Sequence, residues 1–499
     1  MLDLRNAKTI SIIGGGTAGW FAALMLRQMC AEHIQVQVIE SPAIGIVGVG
    51  EGGLINLITT LNRLNLPTGE FIRETGAALK WGFCYEGWRT GTREDTFYHL
   101  FVNPQQAPFN FEYQSNFPLV SALLAQNIAL ADAIKNMDSI RNRVSQQQAV
   151  HDLQNKPGIA TSLHFDSYRV ANYLSKKAVE RGVIHIQAKV EDVVFNDAGL
   201  ATHIVTDQGT YNTDFIIDAS GFARVVIGKK LHTPWESFKQ YLLLDKAIPF
   251  HLSHREQHPE LVTRATAMNA GWMWQIPLIE RIGAGYVFSS EFTTEQQAID
   301  EVQQYFGFEI EPQRTLSFEP GHFKQVWQGN VMAVGLASGF VEPLEATSIG
   351  QMLEQLRMFE QVVQRSGWVV SDLSITQFNQ ANATAWQGIR DFLRMHYDCP
   401  RRDTPFWQKV ATTPYPESYA ALKQTFQQRC PRMIDVEGYA KHQWYGIFHI
   451  VNWIFVAQGL GLISPEACLN ELNELPIEAK EQIVAYMNNL ALNPELESV

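Results

Sequence analysis

The feature that most constrains this chain is a glycine run set between a strand and a helix. Lys8 to Ile13 is a short β-branched run, and Gly14-Gly15-Gly16-Thr17-Ala18-Gly19 follows it with the spacing GxGxxG. Ala18 to Cys30 then reads as a packed helix, and Ile34 to Ile39 as a second apolar strand that ends on Glu40. This is a βαβ unit of dinucleotide-binding type. Backbone access explains the spacing: the first glycine makes the turn, the second lets a pyrophosphate approach, and the third lets helix meet strand. The phosphate charge sits at the helix N-terminus. An acid about 20 residues further on, here Glu40, suits a ribose 2′-hydroxyl.

The motif alone does not choose between NAD and FAD, but two later segments favour FAD. Asp214 to Asp218 runs into Ala219-Ser220-Gly221, and Asn330 to Gly335 into Ala337-Ser338-Gly339. Both look like strands returning the chain to the first sheet and its cofactor. Between them, Tyr241 to Phe250, Thr263 to Ile279 and Gly285 to Phe292 predict a second, largely antiparallel sheet. After Ile349 the pattern is mostly helical. The expected fold is thus α/β: a Rossmann-like FAD-binding module with a second, mostly antiparallel sheet and a C-terminal helical cap. Soft boundaries fall near residues 150, 240 and 360. They give a module over 1–360, with an inserted substrate-side segment near 85–150 and the antiparallel sheet near 240–320, followed by a cap over 361–499.

With 499 residues, 46% hydrophobic and 18% charged, the composition is that of a globular chain. A net charge of −12 argues against nucleic acid as a partner, because binding a phosphate backbone needs clustered Lys and Arg. No window has the roughly 18 uninterrupted apolar residues of a membrane span. Trp444 to Ile463 comes nearest but contains His449, Asn452 and Gln458. The first residues read as a strand rather than a signal peptide. Cys30, Cys84, Cys399, Cys430 and Cys468 are scattered, without CxxC pairing or metal-ligand spacing. They suit reduced thiols in a cytoplasmic enzyme, and no metal site is expected.

Trp272-Met273-Trp274-Gln275-Ile276-Pro277 has the form WxWxIP. With the glycine turn, Gly48-Val49-Gly50-Glu51-Gly52, Lys80, and Gly339-Phe340-Val341-Glu342-Pro343-Leu344-Glu345-Ala346-Thr347-Ser348, it makes the chain resemble the flavin-dependent tryptophan halogenase family over nearly its whole length. The resemblance implies a p-hydroxybenzoate-hydroxylase-like flavin module and the reagents FADH2, O2 and chloride or bromide. Matching positions assign FAD contacts to Gly14, Gly16, Thr17, Ala18, Gly19, Glu40, Gly50, Gly335, Ser348 and Ile349. They assign halide to Thr347 and Ser348, held through backbone amides.

In that family, hypohalous acid formed at the flavin travels through the protein to a lysine, and Lys80 is the matching residue. Its apolar surroundings, Ala77 to Phe83, would partly desolvate the ammonium, which then donates a hydrogen bond to HOX or forms a haloamine. Glu345 matches the family's acidic partner for the arenium proton. Pro343 predicts a loop between Glu342 and Glu345, so that only Glu345 need point inward. Trp272 and Trp274 either fill one face of a core, as strand alternation allows, or stand near the flavin.

His99, Phe101 and Trp453 match the substrate's aromatic walls, although an aromatic stripe at helical spacing from His442 to Trp453 also suits a core. Tryptophan-specific members often read Glu-Ser-Thr-Gly where this chain reads Glu345-Ala346-Thr347-Ser348, a departure that bears on substrate orientation and halide preference. They also carry a tyrosine pair followed by a glutamate, of which Trp444-Tyr445 is the nearest remnant. The expected substrate is therefore an indole-like aromatic, not free tryptophan. Gln105 to Gln126, with Phe109, Phe111, Tyr113 and Phe117, reads as a lid or part of the substrate opening.

The resemblance also implies a separate flavin reductase to supply FADH2, because the family normally lacks its own nicotinamide site. A homodimer is one oligomeric state the sequence leaves open. Two other readings are a flavin-dependent aromatic monooxygenase, which would have no use for Lys80, and a non-catalytic flavin-binding protein, which would have no use for Lys80 or Glu345. Product without halogen selects the first, and no product from any arene selects the second.

Overall fold

The computed structural model describes residues 1–45, 50–103, 117–156 and 158–489. Gly48, Val49, Phe109, Phe111 and Tyr113, and the side chain of Phe117, lie outside the described set. At the heart of the fold is a six-stranded sheet in the order Trp327–Gln328, Val331–Ala333, Phe215–Asp218, Thr9–Ile13, Gln35–Glu40, Ile184–Gln187. All its pairings are parallel except the edge pair Trp327–Gln328 with Val331–Ala333. Strands covered on both faces read as continuous apolar runs, and Thr9–Ile13 is buried along nearly its whole length. Its one buried hydroxyl, Ser11, accepts from Gln37 Nε2 on the next strand at 2.8 Å.

The parallel strands end at one edge, where their turns gather. Ala219 N donates to Ile13 O at 2.9 Å and Val334 N to Asp218 O at 3.0 Å, so the two strands predicted to return to the first sheet do so. The buried Asp218 carboxylate fixes the middle turn by accepting from Val226 N and Ile227 N at 2.8 and 2.9 Å and from Ser220 Oγ at 2.5 Å. In an open α/β sheet, ligands bind beyond the carboxyl ends of the strands, and the glycine turns stand there.

The second sheet has seven strands, ordered Leu316–Ser317, Lys246–Leu252, Ile282–Phe288, Gly271–Pro277, Thr263–Met268, Gly82–Glu86, Thr96–Leu100. It is antiparallel apart from the pairing of Thr263–Met268 with Gly82–Glu86. The sequence led us to expect this sheet from residues near 240–320 alone. It is extended by a hairpin from 82–100, at the start of the segment read as an insertion. The hairpin belongs to the sheet because Gly82–Glu86 is buried on both faces. Its turn is pinned by Asp95, whose carboxylate accepts from Arg89 N and Thr90 N at 2.6 and 2.8 Å.

A small third sheet pairs Ser162–Phe165 with Glu51–Gly52 on one side and Ala78–Lys80 on the other. From Thr347 onward the chain is mainly helical, led by Thr347–Arg365 and Asp372–His396. The aromatic stripe from His442 to Trp453 is not one helix. Trp444–Tyr445 pairs with Ala440–Lys441 in a short hairpin whose turn residues, His442 and Gln443, have positive φ, and only Ile450–Gly459 is helical. Among the described residues no helix is long and apolar enough to cross a membrane. All five cysteines are free and buried.

Candidate active site

Glu345 stands in a turn that few residue types tolerate. Both it and Ala346 have left-handed backbone, with φ of 66° and 54°. Two such residues in succession, neither a glycine, are strained and need fixing from outside. The side chain of Glu345, 0% exposed, supplies the fixing. His99 Nδ1 lies 2.8 and 2.9 Å from its two oxygens, Tyr85 Oη donates to Oε1, and His396 Nε2 is 3.2 Å from Oε1. Burial pushes the carboxyl up, but the His99 and His396 imidazoles outweigh burial and hold it well below the usual carboxylate range. A buried charge persists only when it is paired in this way.

Lys80 ends its strand as a fully buried ammonium. Its Nζ donates to Gly53 O at 3.2 Å and lies 4.0 Å from the Phe83 ring centre and 5.3 Å from that of Phe101. Burial draws its pKa down from 10.5 to about 7, opposed by the field of Glu345. Gly52 makes the room: a Cβ there would sit 2.6 Å from Nζ. His164, on the adjacent strand, binds Thr263 Oγ1 at 2.8 Å. Burial and then the Lys80 charge push it well below the ordinary histidine value. Lys80 is no surface lysine, and its amine can be neutral near neutral pH.

The glycine edge fits a dinucleotide. Gly14 has φ +115°, and a Cβ there would meet Ala219 O at 2.3 Å; at Gly19 it would meet Gly14 O at 1.9 Å. By contrast, nothing lies within 4 Å of a Cβ built on Gly16, the N-cap of helix Thr17–Met29, which no side chain caps. Ala18 follows in the first turn, where the buried Thr17 Oγ1 has no partner. Gly335, at φ +61°, brings the third parallel strand's turn up to Ala18. Glu40 binds His185 Nε2 at 2.7 Å and reaches back over Gly15. The open space, the orphaned hydroxyl and the uncapped amides are what a pyrophosphate needs.

Helix Thr347–Arg365 also starts without a side-chain cap, and the buried hydroxyls of Thr347 and Ser348 have no partner; Ile349 follows in its first turn. Gly50, at φ +103°, lies beside Ile276 of the WxWxIP strand.

Both carboxylates of the Glu342-to-Glu345 turn are buried, contrary to the expectation of one. Glu342 Oε2 accepts from Trp272 Nε1 at 2.6 Å and Tyr397 Oη at 2.5 Å, while Oε1 has no partner. Burial raises this carboxyl to about 7, against the lowering effect of both donors. Trp272 of WxWxIP is thus at once a core side chain and an anchor for the turn, and Trp274 packs over Gly285.

His99 and Phe101 lie together, 6.4 Å between ring centres, and Phe83 joins both. Trp453 is buried one layer away. It stacks on Tyr439 at 5.4 Å, and Phe392 stands against both it and His99. On the same helix Asn452 and Phe455, rather than Trp453, touch His99. Tyr85, His396, Tyr397 and Asn452 escaped the sequence reading. Tyr85 could have been found, since alternation puts it on the same strand face as Phe83. His396 gave no sign, because its partner Glu345 is 51 residues away.

Fold and site define a dinucleotide-binding enzyme with a buried amine and a buried carboxylate among aromatic rings. A profile of the tryptophan halogenase family matches residues 9–473, and the chain belongs to that family. It is 41% identical over 491 residues to an uncharacterised protein of Sinorhizobium fredii, covering 98% of this chain and 97% of that one. It is 29% identical to the tryptophan 7-halogenase RebH of Lentzea aerocolonigenes, with 95% and 93% covered. The crystal structure of a tryptophan 6-halogenase, SttH from Streptomyces toxytricini, superposes with a TM-score of 0.81 at 27% identity, over 97% of this chain and 96% of that one. The protein is a flavin-dependent halogenating enzyme, of a family that uses reduced FAD, dioxygen and halide on aromatic substrates.

Proposed function

We propose that Lys80 delivers electrophilic halogen to an indole-like aromatic and that Glu345 takes up the proton which the ring then loses. The observation that carries this reading is the state of Lys80: buried against Phe83 and Phe101, with its pKa drawn down to about 7 by burial and only partly restored by Glu345. Reduced FAD, when bound at Gly14, Gly16, Thr17, Ala18, Gly19, Glu40, Gly50, Gly335, Ser348 and Ile349, supplies with dioxygen the oxidising power that turns halide into hypohalous acid. Thr347 and Ser348, at an uncapped helix N-terminus, hold the halide.

As a neutral amine Lys80 takes halogen from HOX, releasing water and leaving a haloamine; as an ammonium it donates a hydrogen bond that polarises HOX. Either form fixes where the electrophile meets the ring. An arenium ion is a strong acid, so the carboxylate that removes its proton need be only correctly placed and ionised. The donors around Glu345 provide both. Phe101 and His99 form one aromatic wall, and Trp453, behind Phe392, belongs to the other side. Tyr445 is 72% exposed and Trp444 is buried against Phe378, so neither is disposed to grip the ammonium or carboxylate of free tryptophan. This favours indole, a substituted indole, or an aromatic carried in something larger. A separate reductase supplies FADH2.

The test is turnover with FAD, a flavin reductase, NADH, oxygen and indole, with chloride and bromide in parallel, read by mass spectrometry. Halogenated product that vanishes in Lys80→Ala is expected. Hydroxylated product, or halogenation that survives the substitution, overturns the reading.

A further inference from the structure

The hydrogen bonds around an ionised Glu345 do not balance if His396 is neutral. His396 Nδ1 is 2.8 Å from Phe392 O, and a carbonyl oxygen only accepts, so Nδ1 carries a hydrogen. Nε2 faces two oxygens, Glu345 Oε1 at 3.2 Å and Tyr85 Oη at 3.0 Å. The single hydroxyl hydrogen of Tyr85 is donated to Glu345. Nε2 therefore meets only lone pairs unless it too carries a hydrogen. Turning the Tyr85 hydroxyl towards His396 does not change the count, because the Tyr85–Glu345 contact would then need a hydrogen from Glu345. In either arrangement the three side chains hold one proton more than a neutral imidazole, a phenol and a bare carboxylate, and because Glu345 must be ionised to take up the arenium proton, that extra proton belongs to His396.

We propose that His396 is a positioning residue for Glu345 that carries hydrogens on both ring nitrogens, so that the buried carboxylate faces an imidazolium cation and not a neutral donor. The inference rests on the role given to Glu345 above.

The fold favours a cation at this point independently of the hydrogen count. His396 is the last residue of helix Asp372–His396, where the helix dipole is negative, and its Nδ1 bonds the carbonyl four residues back. The groups facing it are Glu345 from the left-handed turn, Tyr85 from the second sheet, and the faces or edges of Trp88 and Phe392. His99 reaches the cluster through Glu345 and across the Phe392 ring, and Lys80 acts on Glu345 through its field. The neighbouring Tyr397 turns to Glu342. One helix end thus holds both carboxylates of the turn, Glu345 through His396 and Glu342 through Tyr397. The charge matters because Lys80 can lose its proton near neutral pH. An ionised Glu345 with no fixed cation beside it would then be left buried and poorly compensated.

The experiment is two-dimensional NMR of the ring nitrogens of 15N-histidine-labelled protein across neutral and mildly alkaline pH, with no substrate or flavin present. His396→Gln assigns the signal by its disappearance. Tyr85→Phe, which removes the hydroxyl in direct contact with His396 Nε2 while reaching His99 only by way of Glu345, assigns it as the more strongly shifted signal if the first variant does not fold. A histidine with hydrogens on both ring nitrogens across this range is expected. A bare ring nitrogen there overturns the proposal.

Kinetics give the second readout. His396→Gln keeps a donor towards Glu345 but removes the charge, and should lower kcat on the order of 10²-fold, the scale of a misplaced catalytic group, with KM for the arene little changed. Wild-type kcat in this variant overturns the proposal. Failure of the wild type to halogenate any arene would instead overturn the function proposed above, while the NMR signal would still decide the proton.

Discussion

Two perturbed groups of the site, Lys80 and Glu342, load the fold in opposite directions as pH changes. Lys80 falls from 10.5 to about 7 through burial. Between these values the unfolded chain binds the proton and the native protein does not, so this position's contribution to stability rises with pH. The cost of burying the charge, an order-of-magnitude figure of about 5 kcal/mol, is complete below pH 7 and fades towards pH 10. Lys80→Met should therefore unfold at higher urea concentration than wild type at about pH 6, with the gain shrinking at about pH 9; equal shifts at both would show that the charge is not what burial penalises.

Glu342 rises from 4.5 to about 7, again through burial. Here the unfolded chain releases its proton first, so stability falls as pH rises through that window, and the cost of about 3 kcal/mol is complete only above pH 7. Glu342→Gln keeps an acceptor for Trp272 and Tyr397, and should stabilise at about pH 8 but not at about pH 5. Urea titrations at both pH values check it, and a gain of the same size at acid pH would refute the assignment.

At the scale of elements, the first helix offers the sharpest separation of folding from binding. Gly14 and Gly19 are needed by the backbone itself, whereas the space beside Gly16 is open and its φ of −78° suits any residue. Gly16→Val should leave the melting temperature of the flavin-free protein unchanged and weaken FAD binding by at least about tenfold, about 1.4 kcal/mol. Unaltered FAD titration would show that the space is not the cofactor's.

The same contrast explains what could be read in advance. The glycine turn, the first helix and the strand ending on Glu40 were legible because each constraint is local: a backbone conformation, a close approach, an apolar period. The later parallel strands were legible because buried strands are apolar throughout. The hairpin of 82–100 was not, since only its pairing with Thr263–Met268, far along the chain, makes it part of the second sheet. The aromatic residues from His442 stand at helical spacing, yet only Ile450–Gly459 is helical, because side-chain periodicity carries no sign of the left-handed turn at His442 and Gln443. Within the site, Lys80 and Glu345 were named by resemblance. Strand alternation with Phe83 could have pointed to Tyr85, but its bond to Glu345, like that of His396, spans 260 or 51 residues, and no local pattern records such a contact.

At the scale of the whole molecule, the sequence suggested a module and a cap, and the packing bears on whether they are energetically separate. One continuous apolar cluster runs from Leu2 to Met487 and includes Trp386, Phe392 and Trp453 of the helical region together with Ile12, Phe21 and Trp272. Leu2–Asp3 pairs with Val369–Val370 across the expected boundary. Trp407 Nε1 donates to Met268 O at 2.9 Å, and Gln458 bonds both Leu130 N and Ile128 O. The site itself crosses the boundary, since Glu345 and His99 come from one side and His396 and Asn452 from the other. Regions that share a core and a buried charge cluster should open together, because exposing one leaves the other's polar groups unpaired. FAD, bound at the glycine turns as proposed, should then raise hydrogen-exchange protection along the whole of helix Asp372–His396 as well as in helix Thr17–Met29, by the stabilisation its occupancy confers on the whole native state. Mass-spectrometric exchange with and without FAD measures both. Protection confined to the first helix would mean that the helical region unfolds on its own, and that the pairing of His396 with Glu345 can break without loss of the flavin fold.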